Sequence, residues 1–220
     1  MKLHPSAELN LKLLTIKTLT LIALSSSDRG QTLHLMKIDN VAESPTGIDF
    51  VIFDPIKTTK RVLKPKIISC ITTENEALNV CHYVKEYMTR TSPLREEAVS
   101  KGNEMPKQLF LSWVTKKPVT KQTLARWLRL CLDSAGIDSK KYGAHSIRGA
   151  GLSSAYNHGA SINQIIDHGN WTNTNTFHRF YNAPENDSNV GKIILNQYKG
   201  GKQIISNCYF SYICIFHFIP

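Results

Sequence analysis

A histidine and an arginine in the segment GAHSIRGAG, residues 143–151, are the first side chains that suggest chemistry. His145 and Arg148 are three residues apart, so both can point at one spot if the segment is helical. The glycines and alanines around them let that helix pack tightly or let a large ligand come close. A guanidinium beside an imidazole suits a phosphate group. Such a pair also arises readily by chance, so the rest of the chain must decide.

The overall charge favours a polyanionic partner. Lys and Arg number 27 against 17 Asp and Glu, which gives a formal net charge of +10 over 220 residues. Nucleic acid is the first candidate for such a partner. The alternative is a basic surface that binds nothing.

Cysteine and histidine spacing indicates neither a disulfide framework nor a metal site. The five cysteines include no CxxC pair, which fits a reducing intracellular compartment. His145, His158, His168 and His178 include no HxxxH pair and lack a Cys or acid partner in a recognised zinc pattern. No metal site is therefore predicted. The start of the chain has no apolar run typical of a signal peptide.

The hydrophobic pattern predicts a chain that is mostly helical, with a small sheet inserted early. The first half contains a buried helix at 9–24, a short helix at 32–40, two β-rich runs at 48–55 and 62–70, an amphipathic helix at 75–90 and a polar loop at 91–108. The second half contains an apolar run at 109–114, helices from Thr120 to Gly136 and from about His145 to Asn157, a short helix opened by a capping box of Ser161 and Gln164, and a final helix before residue 181. The predicted class is α+β, mostly α-helical, with a small antiparallel β-sheet.

Three further side chains are candidates to join His145 and Arg148. Arg29 lies in a Ser- and Gly-rich break between two apolar helices, where its guanidinium is exposed at the end of an element. Lys57 lies in the predicted hairpin turn, and Tyr181 closes the last predicted helix. Two arginines can hold the non-bridging oxygens of one phosphodiester and stabilise a pentacoordinate transition state. The tyrosine oxygen can attack phosphorus to form a covalent ester, while lysine protonates the leaving 5′ oxygen and histidine assists proton transfer.

The order of these residues resembles that of the tyrosine recombinases, the phage-integrase-like enzymes. The segments that carry the resemblance are SSSDRGQTLHLMKIDN, IKTTKR, GAHSIRGAG and IIDHGNWTNTNTFHRFY, and it covers roughly residues 8–185. The catalytic set in chain order is Arg29, Lys57, His145, Arg148, Trp171 and Tyr181. The step of 26 residues from His145 to Trp171 equals the usual family spacing. The chain is most similar to the recombinases of eukaryotic DIRS-like retrotransposons and Crypton-like mobile elements.

The resemblance implies a catalytic domain that cleaves and rejoins DNA through a 3′-phosphotyrosyl intermediate, in site-specific recombination or mobile-element integration. The expected partners are double-stranded DNA and other recombinase protomers, in a tetramer on DNA, with no membrane contact. No cofactor is expected, because the phosphotyrosyl ester conserves the energy of the phosphodiester. The eukaryotic relatives imply a location in the nucleus. The residues expected to contact DNA are Lys60, Arg61, Lys64, His168 and Arg179.

The chain departs from the family pattern in several places. Thr32 stands where many members carry an acid three residues after the first arginine, and the ten residues from Trp171 to Tyr181 are one more than in bacterial members. The predicted organisation is a catalytic domain at 8–198 and a hydrophobic tail at 199–220 that does not resemble the family. No N-terminal DNA-clamping domain is expected ahead of it. The residue set predicts an enzyme, and these departures leave its activity open.

Several assignments have rivals. Lys60 competes with Lys57 as general acid, Tyr198 competes with Tyr181 as nucleophile, and Trp171 is also suited to core packing. His168 lies 23 residues after His145, out of register for a catalytic role, and is interpreted as a neighbour of the site or a core residue.

Three alternatives to the expected recombinase stay open. The first is a non-catalytic DNA-binding remnant of a recombinase, and the second is an enzyme similar to the type IB topoisomerases. The third is a small structural or interaction domain outside nucleic-acid chemistry.

Overall fold

The computed structural model of the protein describes residues 3–55, 65–169 and 171. This part contains the helices α1 (Leu11–Ser26), α2 (Gly30–His34), α3 (Val80–Ser100), α4 (Lys121–Ser134), α5 (Ala144–Asn157) and α6 (Ile162–His168). It also contains three strands, β1 (Val41–Ser44), β2 (Gly47–Ile52) and β3 (Lys66–Ile71). The predicted class, mostly helical with a small antiparallel sheet, is confirmed.

Helix α1 is the centre of the core. Every residue from Leu14 to Leu24 is buried, as expected for a helix that is apolar on nearly all sides. The Asn10 side chain caps the helix by accepting a hydrogen bond from the backbone N–H of Leu13 (3.0 Å). Helices α3, α4 and α5 and strand β3 all pack against α1. The predicted buried helix at 9–24 is confirmed, and it brings the residues that follow Leu24 close to α5.

The sheet has three antiparallel strands in the order β1-β2-β3. In the register, Val41 lies opposite Phe50, and Val51 lies opposite Ile67. The predicted runs at 48–55 and 62–70 correspond to β2 and β3, but β1 was not predicted because it is short and half-exposed. The short helix predicted at 32–40 is wrong in its second half. There, Lys37 bridges to Gln108, and a turn of 3-10 helix leads into β1.

The loop predicted at 91–108 is wrong in its first part, because α3 continues through Pro93 to Ser100, and residues 101–108 form the loop. This polar stretch contains a buried charged side chain, Arg95, which attaches the helix to the rest of the fold. Arg95 is only 3% exposed, and its guanidinium donates hydrogen bonds to the carbonyl oxygens of Gln108 (2.9 Å) and Leu109 (2.8 Å). These tertiary contacts hold the second half of the helix in place despite the proline.

The helices predicted from Thr120 to Gly136, from about His145 to Asn157 and after Ser161 are confirmed, whereas the final helix predicted before residue 181 lies outside the described residues. The Thr120 side chain accepts from the backbone N–H of Thr123 (3.3 Å), and Gly136 takes a positive φ of 76° just after α4. Both hydrogen bonds of the capping box between Ser161 and Gln164 are present at the start of α6. Among the helices that the structure describes, none is long and apolar enough to cross a membrane.

Candidate active site

The first site residue, Arg29, is placed by the end of α1. Ser27 adopts a left-handed conformation (φ 50°) that stops α1, and two residues later Arg29 takes the N-cap position of α2. Its carbonyl oxygen accepts the backbone N–H of Thr32 (2.8 Å) and of Leu33 (3.1 Å), which starts the new helix. The Arg29 side chain is half-buried at this junction.

Helix α5 presents His145 and Arg148 one turn apart. His145, near the start of the helix, is exposed, whereas Arg148 is only 3% exposed. The helix approaches the end of α1 closely at Gly151. A Cβ atom there would lie 2.7 Å from the carbonyl oxygen of Leu24 and 3.0 Å from the Ser27 hydroxyl oxygen. The small residue therefore sets the distance between the helix that carries Arg148 and the segment that leads to Arg29.

The Arg148 guanidinium is held by the end of α6. It donates a hydrogen bond to the carbonyl oxygen of Gly169, and its Cζ lies 5.0 Å from the centroid of the Trp171 ring. A cation at this distance from the face of an indole is attracted by the ring. Gly169 permits the arrangement, because a Cβ there would lie 3.1 Å from an atom of the Trp171 ring. Trp171 thus supports the arginine directly, in addition to packing near Leu152 and Ile165.

The arginines act electrostatically on His145. Partial desolvation lowers the pKa of the His145 imidazole, and the charges of Arg148 and Arg29 lower it further. Both guanidinium groups are therefore near enough to His145 for their charges to act on its ring. The neutral form of His145 is favoured at neutral pH, so the ring is able to accept a proton.

A buried ion pair lies beside this cluster. The Asp28 carboxylate is 3.2 Å from Nζ of Lys66, with 6% of the aspartate side chain and 19% of the lysine side chain exposed. Burial raises the pKa of Asp28, and the charges of Lys66, Arg148 and His168 act in the opposite direction. Asp28 therefore places a carboxylate close to the Arg148 guanidinium on α5 and the His168 ring on α6.

His168 connects α6 to the end of α1. Its ring is exposed, and Nε2 donates a hydrogen bond to the carbonyl oxygen of Ser25 (2.9 Å). This contact agrees with the interpretation of His168 as a neighbour of the site. Its expected role in DNA contact stays a prediction.

The structure brings Arg29, His145, Arg148 and Trp171 together. The other predicted site residues lie outside the described residues: Lys57, Lys60, Arg61, Lys64, Arg179 and Tyr181, with the rival Tyr198. In the part of the chain that is described, no group of three or more His, Cys, Asp or Glu side chains is suited to hold a metal ion. The arrangement is suited to bind one phosphate group between two guanidinium groups, beside an imidazole able to take up a proton.

Sequence reasoning did not single out Asp28 and Lys66. The signal for Asp28 was an acid directly before Arg29, at the end of a buried helix and four residues before the unusual Thr32. Thr32 itself is buried in α2. The signal for Lys66 was a lysine at the start of an apolar strand, and nothing in the sequence links it to Asp28, 38 residues earlier.

The comparisons with known proteins bear on the family and the fold of the chain. Residues 12–187 match the model of the phage integrase family. The solved structure of XerA recombinase matches with a TM-score of 0.53 and 18% sequence identity, over 86% of this chain and 62% of that one. This match confirms the predicted recombinase catalytic-domain fold, and the chain spans less than two thirds of the XerA structure. A search of curated proteins finds no significant match. Because the family model covers most of its length, the chain belongs to the phage integrase family.

Proposed function

We propose that the protein cleaves and rejoins DNA strands through a 3′-phosphotyrosyl intermediate, in site-specific recombination or mobile-element integration. One observation carries the proposal: in a chain of the phage integrase family, Arg29, His145 and Arg148 lie together, with Arg148 fixed by Gly169 and Trp171.

The two arginines bind the scissile phosphate. Guanidinium groups match two phosphate oxygens with two parallel hydrogen bonds, and their charge opposes the negative charge that builds up on the pentacoordinate transition state. Arg148 is already oriented by the Gly169 carbonyl and the Trp171 ring, so little reorganisation is needed when phosphate binds. Arg29, at the N-cap of α2, completes the clamp.

His145 and Trp171 assist. The lowered pKa of His145 favours the neutral imidazole, which is the form able to take the proton of an attacking hydroxyl. The indole N–H of Trp171 is a hydrogen-bond donor for a phosphate oxygen, while its ring face supports Arg148.

Tyr181 is the proposed nucleophile and Lys57 the proposed general acid, with Lys60 as the rival to Lys57. Attack by the Tyr181 oxygen forms a bond to phosphorus and breaks the bond to the 5′ oxygen. Lys57 gives that oxygen a proton. The reverse reaction rejoins the strand, and the ester stores the energy for it.

The partners in this proposal are duplex DNA and further protomers. Lys60, Arg61, Lys64, His168 and Arg179 contact the DNA, and several copies assemble on it as a tetramer. The proposed setting is a eukaryotic mobile element of DIRS-like or Crypton-like type acting in the nucleus. The sequence segments quoted above support this finer assignment.

Covalent capture on a DNA substrate with a nick next to the scissile phosphate tests the chemistry. Such a substrate loses its leaving strand, so the phosphotyrosyl adduct accumulates and shifts on a denaturing gel. Wild-type protein should form the adduct. Tyr181→Phe should abolish it and leave non-covalent DNA binding within about twofold, because only one hydroxyl is removed.

Tyr198→Phe is the matched control and should form the adduct normally. An adduct that persists in Tyr181→Phe and disappears in Tyr198→Phe would move the nucleophile to Tyr198. DNA binding with no adduct in the wild-type protein would favour the non-catalytic remnant instead.

A further inference from the structure

The Asp28 carboxylate lies near basic side chains from three elements. Lys66 at the start of β3 forms the ion pair at 3.2 Å, and Arg148 on α5 and His168 on α6 are close enough to act on the carboxylate electrostatically. Only 6% of the Asp28 side chain is exposed. A carboxylate buried to this degree is retained as a charge only if it is paired, because desolvation of an isolated ion is costly.

The segment from Leu24 to Asp28 contacts several of the elements that carry site residues. Between Leu24 and Asp28 it receives the close approach of Gly151 from α5 and the hydrogen bond from His168 of α6 to the Ser25 carbonyl oxygen. The Asp28 backbone N–H donates to the Ser26 hydroxyl oxygen (3.2 Å). The ion pair with Lys66 adds β3 to this junction. Arg29 is the next residue after Asp28, and the contacts described for this part of the chain give Arg29 no side-chain contact with β3.

We propose that Asp28 is a positioning residue: its ion pair with Lys66 fixes the backbone in front of Arg29 and thereby sets the position of the Arg29 guanidinium relative to Arg148 for phosphate binding. This inference rests on the proposed function only in assigning phosphate as the ligand of the two arginines. It gives Asp28 no contact with the ligand.

A role of Asp28 through its charge and a role through positioning Arg29 predict opposite effects on anion binding when the carboxylate is removed. Asp28 is negative, so removing its charge should strengthen the binding of an anion by Arg29 and Arg148 if charge alone matters. If Asp28 holds Arg29 in place, the same change should weaken binding. The sign of the effect separates the two explanations.

The experiment measures sulfate binding by isothermal titration calorimetry on the full chain, because sulfate is a tetrahedral anion with oxygens that guanidinium groups bind as they bind phosphate oxygens. Arg29→Ala identifies the part of the sulfate binding that belongs to the clamp. Asp28→Asn should weaken this binding at least fivefold and slow adduct formation on the nicked substrate at least tenfold. Asp39→Asn is the control, because it breaks the exposed Lys107–Asp39 ion pair (3.0 Å) and should change neither readout.

The double variant Asp28→Asn/Lys66→Gln removes one charge of each sign, so the net charge is unchanged. The double variant should also weaken sulfate binding at least fivefold. If Asp28→Asn alone does not fold, the double variant decides whether Asp28 acts through its charge or by positioning Arg29. Replacement of both members of a buried ion pair is tolerated better than removal of one.

Sulfate binding that is unchanged or tighter in these variants overturns the inference, even if their melting temperatures fall. A wild-type protein that binds no sulfate overturns it too, because no clamp would then exist to be positioned. Weaker sulfate binding in the variants of a wild-type protein that forms no DNA adduct supports the positioning role and contradicts the proposed catalysis.

Discussion

At the scale of single residues, the site places the His145 imidazole and the Arg148 guanidinium on one helix, and the buried ion pair of Asp28 and Lys66 lies near Arg148. His145 and Arg148 were found because they lie one helical turn apart in one segment. Asp28 and Lys66 were missed because their pairing depends on how the end of α1 meets β3, which no local pattern encodes. The role of Trp171 as a support for Arg148 likewise depends on a close tertiary contact at Gly169, where a Cβ atom would lie 3.1 Å from the Trp171 ring.

The state of His145 predicts an acid limb in the reaction. Desolvation and the charges of Arg148 and Arg29 lower the pKa of the His145 imidazole from its ordinary value of 6.5. The neutral imidazole, which is the active form, should therefore be converted to the imidazolium only below that value. Single-turnover rates of adduct formation should rise as pH increases below about 6.5 and stay level through neutral pH.

His145→Gln should lower the rate throughout and remove this acid limb, because glutamine keeps a polar side chain but does not titrate. A limb that survives unchanged in His145→Gln would assign it to another group.

At the scale of elements, the predictions succeeded where short-range signals decide the structure. Thr120 and the Ser161–Gln164 pair cap their helices as the sequence indicates. The second half of α3 could not be predicted, because Arg95 is buried only through contacts with a distant loop. Strand β1 forms because its backbone pairs with the edge of β2. The types of its own four residues give little indication of a strand.

The contact between α1 and α5 is predicted to tolerate no side chain at residue 151. In Gly151→Ala the new Cβ would lie 2.7 Å from the Leu24 carbonyl oxygen, so one helix must shift. The free energy of unfolding should fall by about 1–3 kcal/mol. Adduct formation should fall further than stability explains, because the shift separates Arg148 from Arg29.

Chemical denaturation and single-turnover cleavage at a temperature well below unfolding measure the two effects. Gly30→Ala is the control, since a Cβ at residue 30 meets no atom within 4 Å. It should leave the free energy of unfolding unchanged or slightly higher. Equal losses in both variants would contradict the packing argument.

At the scale of the whole molecule, the charge predicts a polyanionic partner, and the boundaries at 8–198 and 199–220 also stay predictions. If DNA is that partner, as proposed, the formal charge of +10 predicts binding that depends on phosphate contacts and on the release of counterions. Duplex binding by this chain should be weak, show little sequence preference and fall steeply between low and physiological salt. Fluorescence anisotropy at several salt concentrations measures the slope, and tight binding to one sequence that ignores salt would contradict it.

The core also contains a charge that should govern stability near neutral pH. Lys17 on α1 is fully buried, with Nζ 5.0 Å from the centroid of the Tyr83 ring. Burial lowers its pKa from 10.5 to about 7, against a smaller opposing effect of Cys131. Between these two values the unfolded chain binds more protons at this lysine than the folded one does. The contribution of Lys17 therefore makes the folded state more stable as pH rises above 7, and below 7 this contribution is constant.

Lys17→Met keeps the length and apolar stem of the side chain and removes the charge. It should raise the free energy of unfolding at pH 7, by up to about 4 kcal/mol at roughly 1.4 kcal/mol per pKa unit. The difference between variant and wild type should shrink as pH increases from 7 to 8.5. Above that range Cys70 acts in the opposite direction, because burial raises its thiol pKa from 9.0 to about 12, and subtracting the two proteins cancels that effect. Urea denaturation of both proteins at each pH gives the difference directly, and a gap that is constant with pH would mean that Lys17 keeps its charge in the core.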